Sequence, residues 1–215
     1  MFTGIVQGLC PVSRVVDEAS IRRLTVDLGE LGQGLQLGAS VAINGTCLTA
    51  TGVAEGKGTC NVAFDVIKES LTHTNLGNIA EGSLVNVERS FHVGDEVGGH
   101  ILSGHVSGRV QIAAIEAAEN ERNLHFDVPE RWMKYLHHKG FVALDGASLT
   151  IASVDVRASQ ISVSLIPETI ERTTLGSADV GDWVNLEVDA QTQAVVETVE
   201  RLFESPEWRA RFSAG

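Results

Sequence analysis

Short runs rich in Val, Ile, Leu and Thr recur along most of the chain between Gly, Asn and Asp punctuation: GIVQGLCPVSRVV, IRRLTVDL, SVAINGTCLTATGVA, GTCNVAFDVI and SLVNVERS. This is the pattern of strands joined by tight turns. Asn44-Gly45 and Asp145-Gly146 fall inside apolar runs, and these dipeptides readily supply the positive φ angles of a two-residue hairpin. Helical spacing is weak by comparison, with short candidates at KESLTHTNL, PETIERTTL and PERWMKYLHH. A density of about five or six short strands per hundred residues predicts a small closed or nearly closed barrel, which removes exposed sheet edges. After Glu187 the period changes. Val195, Val196, Val199, Leu202 and Phe203 lie at helical spacing with Glu197, Glu200, Arg201 and Glu204 on other faces, which predicts an amphipathic helix over Gln191 to Arg211 that buries its stripe on its own domain or on a second subunit.

The pattern is also written twice. MFTGIVQG matches HILSGHVSG with Gly4 over Gly104; SVAINGTCLT matches FVALDGASLT with Asn44 over Asp145, Cys47 over Ser148 and Thr49 over Thr150. DVIKESLTHTNLG matches SLIPETIERTTLG with Glu69 over Glu168, and EGSLVNVE matches VGDWVNLE. The offset stays between 99 and 101 throughout, so the chain is an internal duplication whose period is that of a small domain rather than a solenoid repeat. The expected units are an N-terminal barrel at 1–97, a C-terminal barrel at 98–189 and a terminal helix at 190–215, giving two similar pockets.

Composition narrows the setting. With 215 residues, 43% hydrophobic and 20% charged, the chain reads as an ordinary globular protein of one or two domains. Its net charge of -12 works against nucleic acid, where Lys and Arg must neutralise phosphates. No run reaches membrane-spanning length, and the N-terminus, broken by Gly4, Gln7 and Gly8, does not read as a secretory leader. Cys10, Cys47 and Cys60 are odd in number and lack CxxC spacing, which fits reduced thiols and a cytoplasmic location. Asn44-Gly45-Thr46 is a glycosylation sequon by letter but a turn by context.

Several sharp motifs dissolve. His100 and His105 in GGHILSGH are five residues apart and on an extended strand face opposite ways, so no metal is expected. GELGQGLQLG is neither a P-loop nor a dinucleotide fingerprint, and no Ser sits in a GxSxG elbow. What remains is the matched polar set: Thr3, Asn44, Cys47, Thr49, Lys68, Glu69 and Ser70 against Ser103, Asp145, Ser148, Thr150, Glu168 and Thr169, with His105 facing Ile5. Singly, each serves turns, strand backbone or helix ends. As a set they differ between halves while the scaffold residues match, as two pockets of one shape with unlike chemistry would.

At these residues the chain resembles the riboflavin synthase family. MFTGIVQG, NGTCLT, KESL with TNLG, VNVER, GGHILSGH, KGFVALDGASLT, LIPETIERTTLG and QTQAVVETVER carry the resemblance nearly end to end. It implies an all-β fold of two tandem Greek-key β-barrels followed by a C-terminal α-helix, assembled as a homotrimer through that helix. It implies a dismutation in which a four-carbon unit passes between two molecules of 6,7-dimethyl-8-ribityllumazine, giving riboflavin and 5-amino-6-(D-ribitylamino)uracil, with no cofactor and no metal. The active site would form between the N-terminal barrel of one subunit and the C-terminal barrel of its neighbour. Substrate contacts implied by position are Phe2, Thr3, Gly4, Ile5, Val6, Thr46, Cys47, Leu48, Thr49, Asp65, Val66, Ile67, Lys68, Glu69 and Ser70 in the first half. In the second they are Gly104, His105, Val106, Lys139, Ser148, Leu149, Thr150, Leu165, Ile166, Pro167, Glu168, Thr169 and Ile170. His105 and Ser148 would transfer protons at the 7-methyl group, Asp145 would orient or assist, and Cys47 would act as nucleophile or polariser toward C7 of the acceptor. Ile43 departs from the family, which often has His there.

The rival class is the non-enzymatic antenna, the lumazine protein and yellow fluorescent protein of luminous bacteria, which binds one chromophore on the same fold. The intact GGHILSGH, DGASLT and LIPETIERTTLG favour the enzyme. Association with a lumazine synthase is left open by the sequence.

Overall fold

The computed structural model describes residues 1–118, 121–206 and 208. The first half forms β1 (Gly8–Asp17), β2 (Ile21–Asp27), β3 (Ser40–Ile43), β4 (Thr46–Glu55), β5 (Cys60–Ile67) and β6 (Leu84–Arg89), with a one-turn helix α1 (Lys68–His73) after β5. The second half repeats this with β7 (Gly108–Ala118), β8 (Glu121–Asp127), the short helix α2 (Glu130–Met133), β9 (Phe141–Leu144), β10 (Ala147–Asp155), β11 (Gln160–Leu165), α3 (Pro167–Arg172) and β12 (Trp183–Val188). Each set closes into an antiparallel six-stranded barrel. The neighbour order β1-β2-β5-β4-β3-β6 recurs as β7-β8-β11-β10-β9-β12, a Greek-key path that leaves no open sheet edge.

The two predicted hairpins are present. Asn44 and Gly45 have φ of 44° and 76°, Asp145 and Gly146 have 46° and 81°, and they join Ile43 to Thr46 and Leu144 to Ala147 in matching register. Even the register shifts repeat, between Val12 and Arg14 and between Ala50 and Gly52 in one barrel, and between Ile112 and Ala114 and between Ile151 and Ser153 in the other. Alternate residues fill each barrel, with Leu24, Phe64 and Val87 in the first core and Leu124, Phe126 and Leu186 in the second. The halves are therefore one folded unit written twice.

The terminal helix α4 (Ala190–Glu204) starts at Asp189, whose carboxylate accepts from Thr192 N–H at 2.8 Å and Thr192 Oγ1 at 2.6 Å, a side-chain N-cap. The helix stops short of the expected Arg211: Ser205 is extended, with φ -67° and ψ 123°, as the residue before a proline tends to be, and residues 207 and 209–215 lie outside the described residues. One face of α4 docks on the second barrel: Val196 packs on its core, Tyr135 donates to Glu197 at 3.1 Å and Lys134 pairs with Glu200 at 2.5 Å. The other face leaves Val195 64% and Val199 43% exposed. Among the described residues no helix is long and apolar enough to cross a membrane.

Candidate functional site

Each barrel is preceded by a lead-in segment, residues 2–6 or 102–106, and the two lead-ins run side by side between the barrels. Phe2 and Leu102 exchange both backbone hydrogen bonds at 2.9 Å. With Ala42 and Ala143 they form a separate buried apolar seam in which Phe2 is 1% exposed. Each lead-in is tied to its own barrel by a buried carboxylate. Glu88 accepts from Thr3 N–H at 2.5 Å, Thr3 Oγ1 at 2.8 Å and Gly4 N–H at 3.1 Å; Glu187 accepts from Ser103 N–H at 2.8 Å, Ser103 Oγ at 2.7 Å and Gly104 N–H at 3.1 Å. Burial pushes both carboxyls above their usual range, and these same hydrogen bonds pull back against it. The sequence flagged neither Glu88 nor Glu187, although the matched VNVE and VNLE strings carried the signal.

From there the lead-ins cross over. Gly4 C=O accepts from Ser148 N–H in the second barrel at 2.8 Å, and Gly104 C=O accepts from Cys47 N–H in the first barrel at 2.8 Å. Both glycines have left-handed φ, 74° and 80°. A Cβ on Gly4 would lie 2.5 Å from Ser148 Cβ, and one on Gly104 2.6 Å from Cys47 Cβ, so only glycine fits this approach. Val6, from the first half, joins the second barrel's core cluster. Each half's lead-in thus crosses onto the other half's barrel. The sequence reading put His105 with Ser148; the structure runs the Gly104-His105 segment over Cys47 and the Gly4-Ile5 segment over Ser148.

Strand alternation sorts the remaining candidates. Cys47, Thr49, Asp65 and Ile67 face outward from β4 and β5, Ser148, Thr150 and Ser164 do so from β10 and β11, and Ile166 is exposed just past β11. Lys68, Glu69 and Ser70, and Pro167, Glu168, Thr169 and Ile170, follow on α1 and α3 at the ends of those strands. Leu48, Val66, Leu149 and Leu165 point into the barrel cores, so only their backbone can meet a ligand. Phe2 is consumed by the inter-barrel seam, Thr3 by Glu88, and Thr46 is buried with its Oγ1 unpartnered. Lys139 is exposed in a left-handed conformation, φ 63°, with its N–H bonded to Ile151 C=O at 2.9 Å. An open cavity of 830 Å³ runs along the first lead-in, lined by Thr3, Ile5, Glu88 and Phe91 and ending at Gly98.

Beside Ser148 stands a residue the sequence reading had weighed only as a metal ligand. His100 Nδ1 lies 2.6 Å from Ser148 Oγ, and its ring stacks on Phe141 with centroids 5.1 Å apart. Burial lowers its pKa, opposed by the charge of Asp189, so at neutral pH it is an uncharged imidazole able to take or give a proton. Its Nε2 is buried without a partner, unusual for an interior polar atom. Comparing the halves did not reveal it, because the matched pairs begin just after it, at Phe2 over Leu102.

Asp145 belongs elsewhere. Its Oδ1 accepts from Asn75 Nδ2 at 2.9 Å and Asn185 N–H at 2.8 Å, and its Oδ2 lies 3.4 Å from Thr174 Oγ1. Around it, Asn86 Nδ2 donates to Asp145 C=O at 2.9 Å and Asn185 Nδ2 to Asn44 C=O at 2.8 Å. This amide network binds the barrels across their second contact. It leaves Asp145 4% exposed and, by desolvation, with a pKa pushed up to about 7. The hydrogen bonds of its carboxylate go to the network and not to Ser148 or His100. Those hydrogen bonds join the two halves.

Comparison with known proteins finds the same duplication. The lumazine binding domain family matches residues 3–90 and again 103–189. Riboflavin synthase of Escherichia coli (strain K12) is 46% identical over 209 residues, covering 96% of this chain and 95% of that protein. Riboflavin synthase of Chlamydia pneumoniae is 41% identical over 206 residues, covering 95% and 98%. In fold, the chain is similar to LumP complexed with riboflavin, at TM-score 0.80, 21% identity and coverage of 88% and 100%. It is likewise similar to LumP complexed with 6,7-dimethyl-8-(1'-D-ribityl) lumazine, at TM-score 0.77, 20% identity and coverage of 88% and 99%.

Proposed function

The chain belongs to the riboflavin synthase family, and from that premise we propose that it converts two molecules of 6,7-dimethyl-8-ribityllumazine into riboflavin and 5-amino-6-(D-ribitylamino)uracil, one molecule held by each barrel. The observation that carries this reading is the reciprocal crossing of the lead-ins, Gly104 onto Cys47 and Gly4 onto Ser148. It supports two binding sites of one shape, as a reaction between two copies of one compound requires. Holding both rings in place supplies much of the acceleration.

The second-barrel pocket suits proton removal. A neutral His100 hydrogen-bonded to Ser148 can draw the serine proton while Ser148 takes one from the 7-methyl of the donor lumazine, whose carbanion is delocalised into its ring. The first-barrel pocket suits the acceptor, with the Cys47 thiol adding to or polarising C7 and His105 on the strap above it. The hydroxyls of Thr49, Thr150 and Ser164 suit the ribityl chain. The exposed stripe of α4 supports a homotrimer held through that helix, which would set the first barrel of one subunit against the second of its neighbour. The three free thiols fit a cytoplasmic location.

Incubation with the lumazine alone tests this: one riboflavin for every two lumazines consumed is expected. Tight binding without turnover would instead support the antenna reading.

A further inference from the structure

The matched registers draw one row of side chains across the outer face of each barrel. In the first, Ser40 pairs with Thr49, the next outward position is Asp65, and Asp65 pairs with Arg23. In the second the same row reads Phe141, Thr150, Ser164 and Asn123. The rows part company at their far end. Arg23 Nε meets Asp65 Oδ1 at 2.7 Å and its terminal nitrogen meets Oδ2 at 3.2 Å, while its other terminal nitrogen reaches Glu18 at 3.1 Å. The guanidinium is thus clamped between two carboxylates. At the equivalent positions Ser164 carries a hydroxyl, and the Asn123 Oδ1 is buried with no hydrogen bond.

Side-on pairing uses one lone pair on each Asp65 oxygen and leaves the others free, with the side chain 29% exposed beside Thr49. We infer that Arg23 is a positioning residue that fixes Asp65 as an ionic acceptor for polyol hydroxyls, so the first barrel grips the ribityl chain by charge-assisted hydrogen bonds and the second by neutral ones. This rests on the reading that both barrels hold a ribityl-bearing ring. The two sites then differ in strength along the sugar chain, and the difference is written in Arg23 and Asp65 rather than in Cys47 or Ser148.

Titrating the full chain with riboflavin, followed by quenching of its fluorescence, should give two classes of site. Arg23→Thr and Asp65→Asn should each weaken the tighter class by about tenfold, the loss of one hydrogen bond to a charged group, and leave the weaker class alone. Ser164→Ala should move only the weaker class. Arg23→Lys should recover part of the lost affinity, and the double variant Arg23→Thr, Asp65→Asn should be no worse than Asp65→Asn, because Arg23 acts through Asp65. A single class in the wild type, an unchanged or doubly weakened Arg23→Thr variant, or additive losses would each overturn the inference. Turnover of the lumazine, assayed in parallel, separates the cases: turnover with any of those results sinks only the inference, whereas absent binding and turnover sink the function itself.

Discussion

His100 Nδ1 sits 2.6 Å from Ser148 Oγ, joining a residue ahead of the second barrel to one on its fourth strand. If this pair moves the methyl proton, His100→Ala and Ser148→Ala should each lower kcat by about a hundredfold or more while changing ligand affinity much less. Equal losses in kcat and affinity, or none, would remove the pair from the chemistry. The lowered pKa of His100 also sets a sign. Above its ordinary range both folded and unfolded states hold a neutral ring; as pH falls the unfolded state takes the proton first. Stability is therefore lost on acidification, and His100→Gln should reduce that loss in thermal melts between pH 7 and 5.

Asp145 carries the opposite dependence. Its carboxyl is raised from 3.8 to about 7 by burial, so the folded state holds a proton that the unfolded state has already released. Its stabilising contribution is complete below pH 3.8 and falls away as pH rises through 7. Its matched residue is Asn44, whose Nδ2 donates to Asn75 Oδ1 at 3.3 Å. Asp145→Asn would offer Thr174 the same donor without a charge. Denaturant unfolding at pH 8 should show the variant more stable, with an upper limit of about 4 kcal/mol from the shift in pKa, and the two proteins should converge toward pH 4. A variant less stable at pH 8 would show that ionised Asp145 is favourable where it stands.

Gly104→Ala tests the strap over Cys47. A side chain there meets both a left-handed φ and Cys47 Cβ at 2.6 Å, a strain of about 1–3 kcal/mol. Turnover should fall in step with weaker ligand binding, since the pocket deforms without losing a reactive group. Cys47→Ser should show the converse, reduced turnover with binding retained.

The half of α4 not docked on the barrel offers a fourth test. Val199→Glu leaves the Val196, Glu197 and Glu200 contacts in place and puts a charge on the exposed stripe. Light scattering should report three chains for the wild type and one for the variant, with turnover down by at least about tenfold because each site then lacks its neighbouring barrel. A variant that stays trimeric would place the subunit contact elsewhere.

Much of this was legible before the structure. The duplication, the Asn44-Gly45 and Asp145-Gly146 turns, the barrels and the late helix all follow from local pattern, because strand alternation and positive φ are written residue by residue. The exchange of lead-ins was not, since it depends on how two finished barrels meet: nothing near Gly104 in the chain points to Cys47. The surroundings of Asp145 were hidden for a related reason: the residues that bury it, Asn75, Asn86 and Asn185, come from distant parts of the chain. His100 was passed over because it lies just outside the residues paired between the halves.

The crossing of the lead-ins also bears on how such a chain could arise. A lone half would leave its apolar lead-in uncovered and its pocket without a strap, and the only surface that supplies both is another copy of itself. The approximate two-fold relation within the chain is the one by which two copies of a single half would cover each other's lead-in. Cys47 and Ser148 can therefore differ in chemistry, while the shared seam ties the integrity of either barrel face to the other.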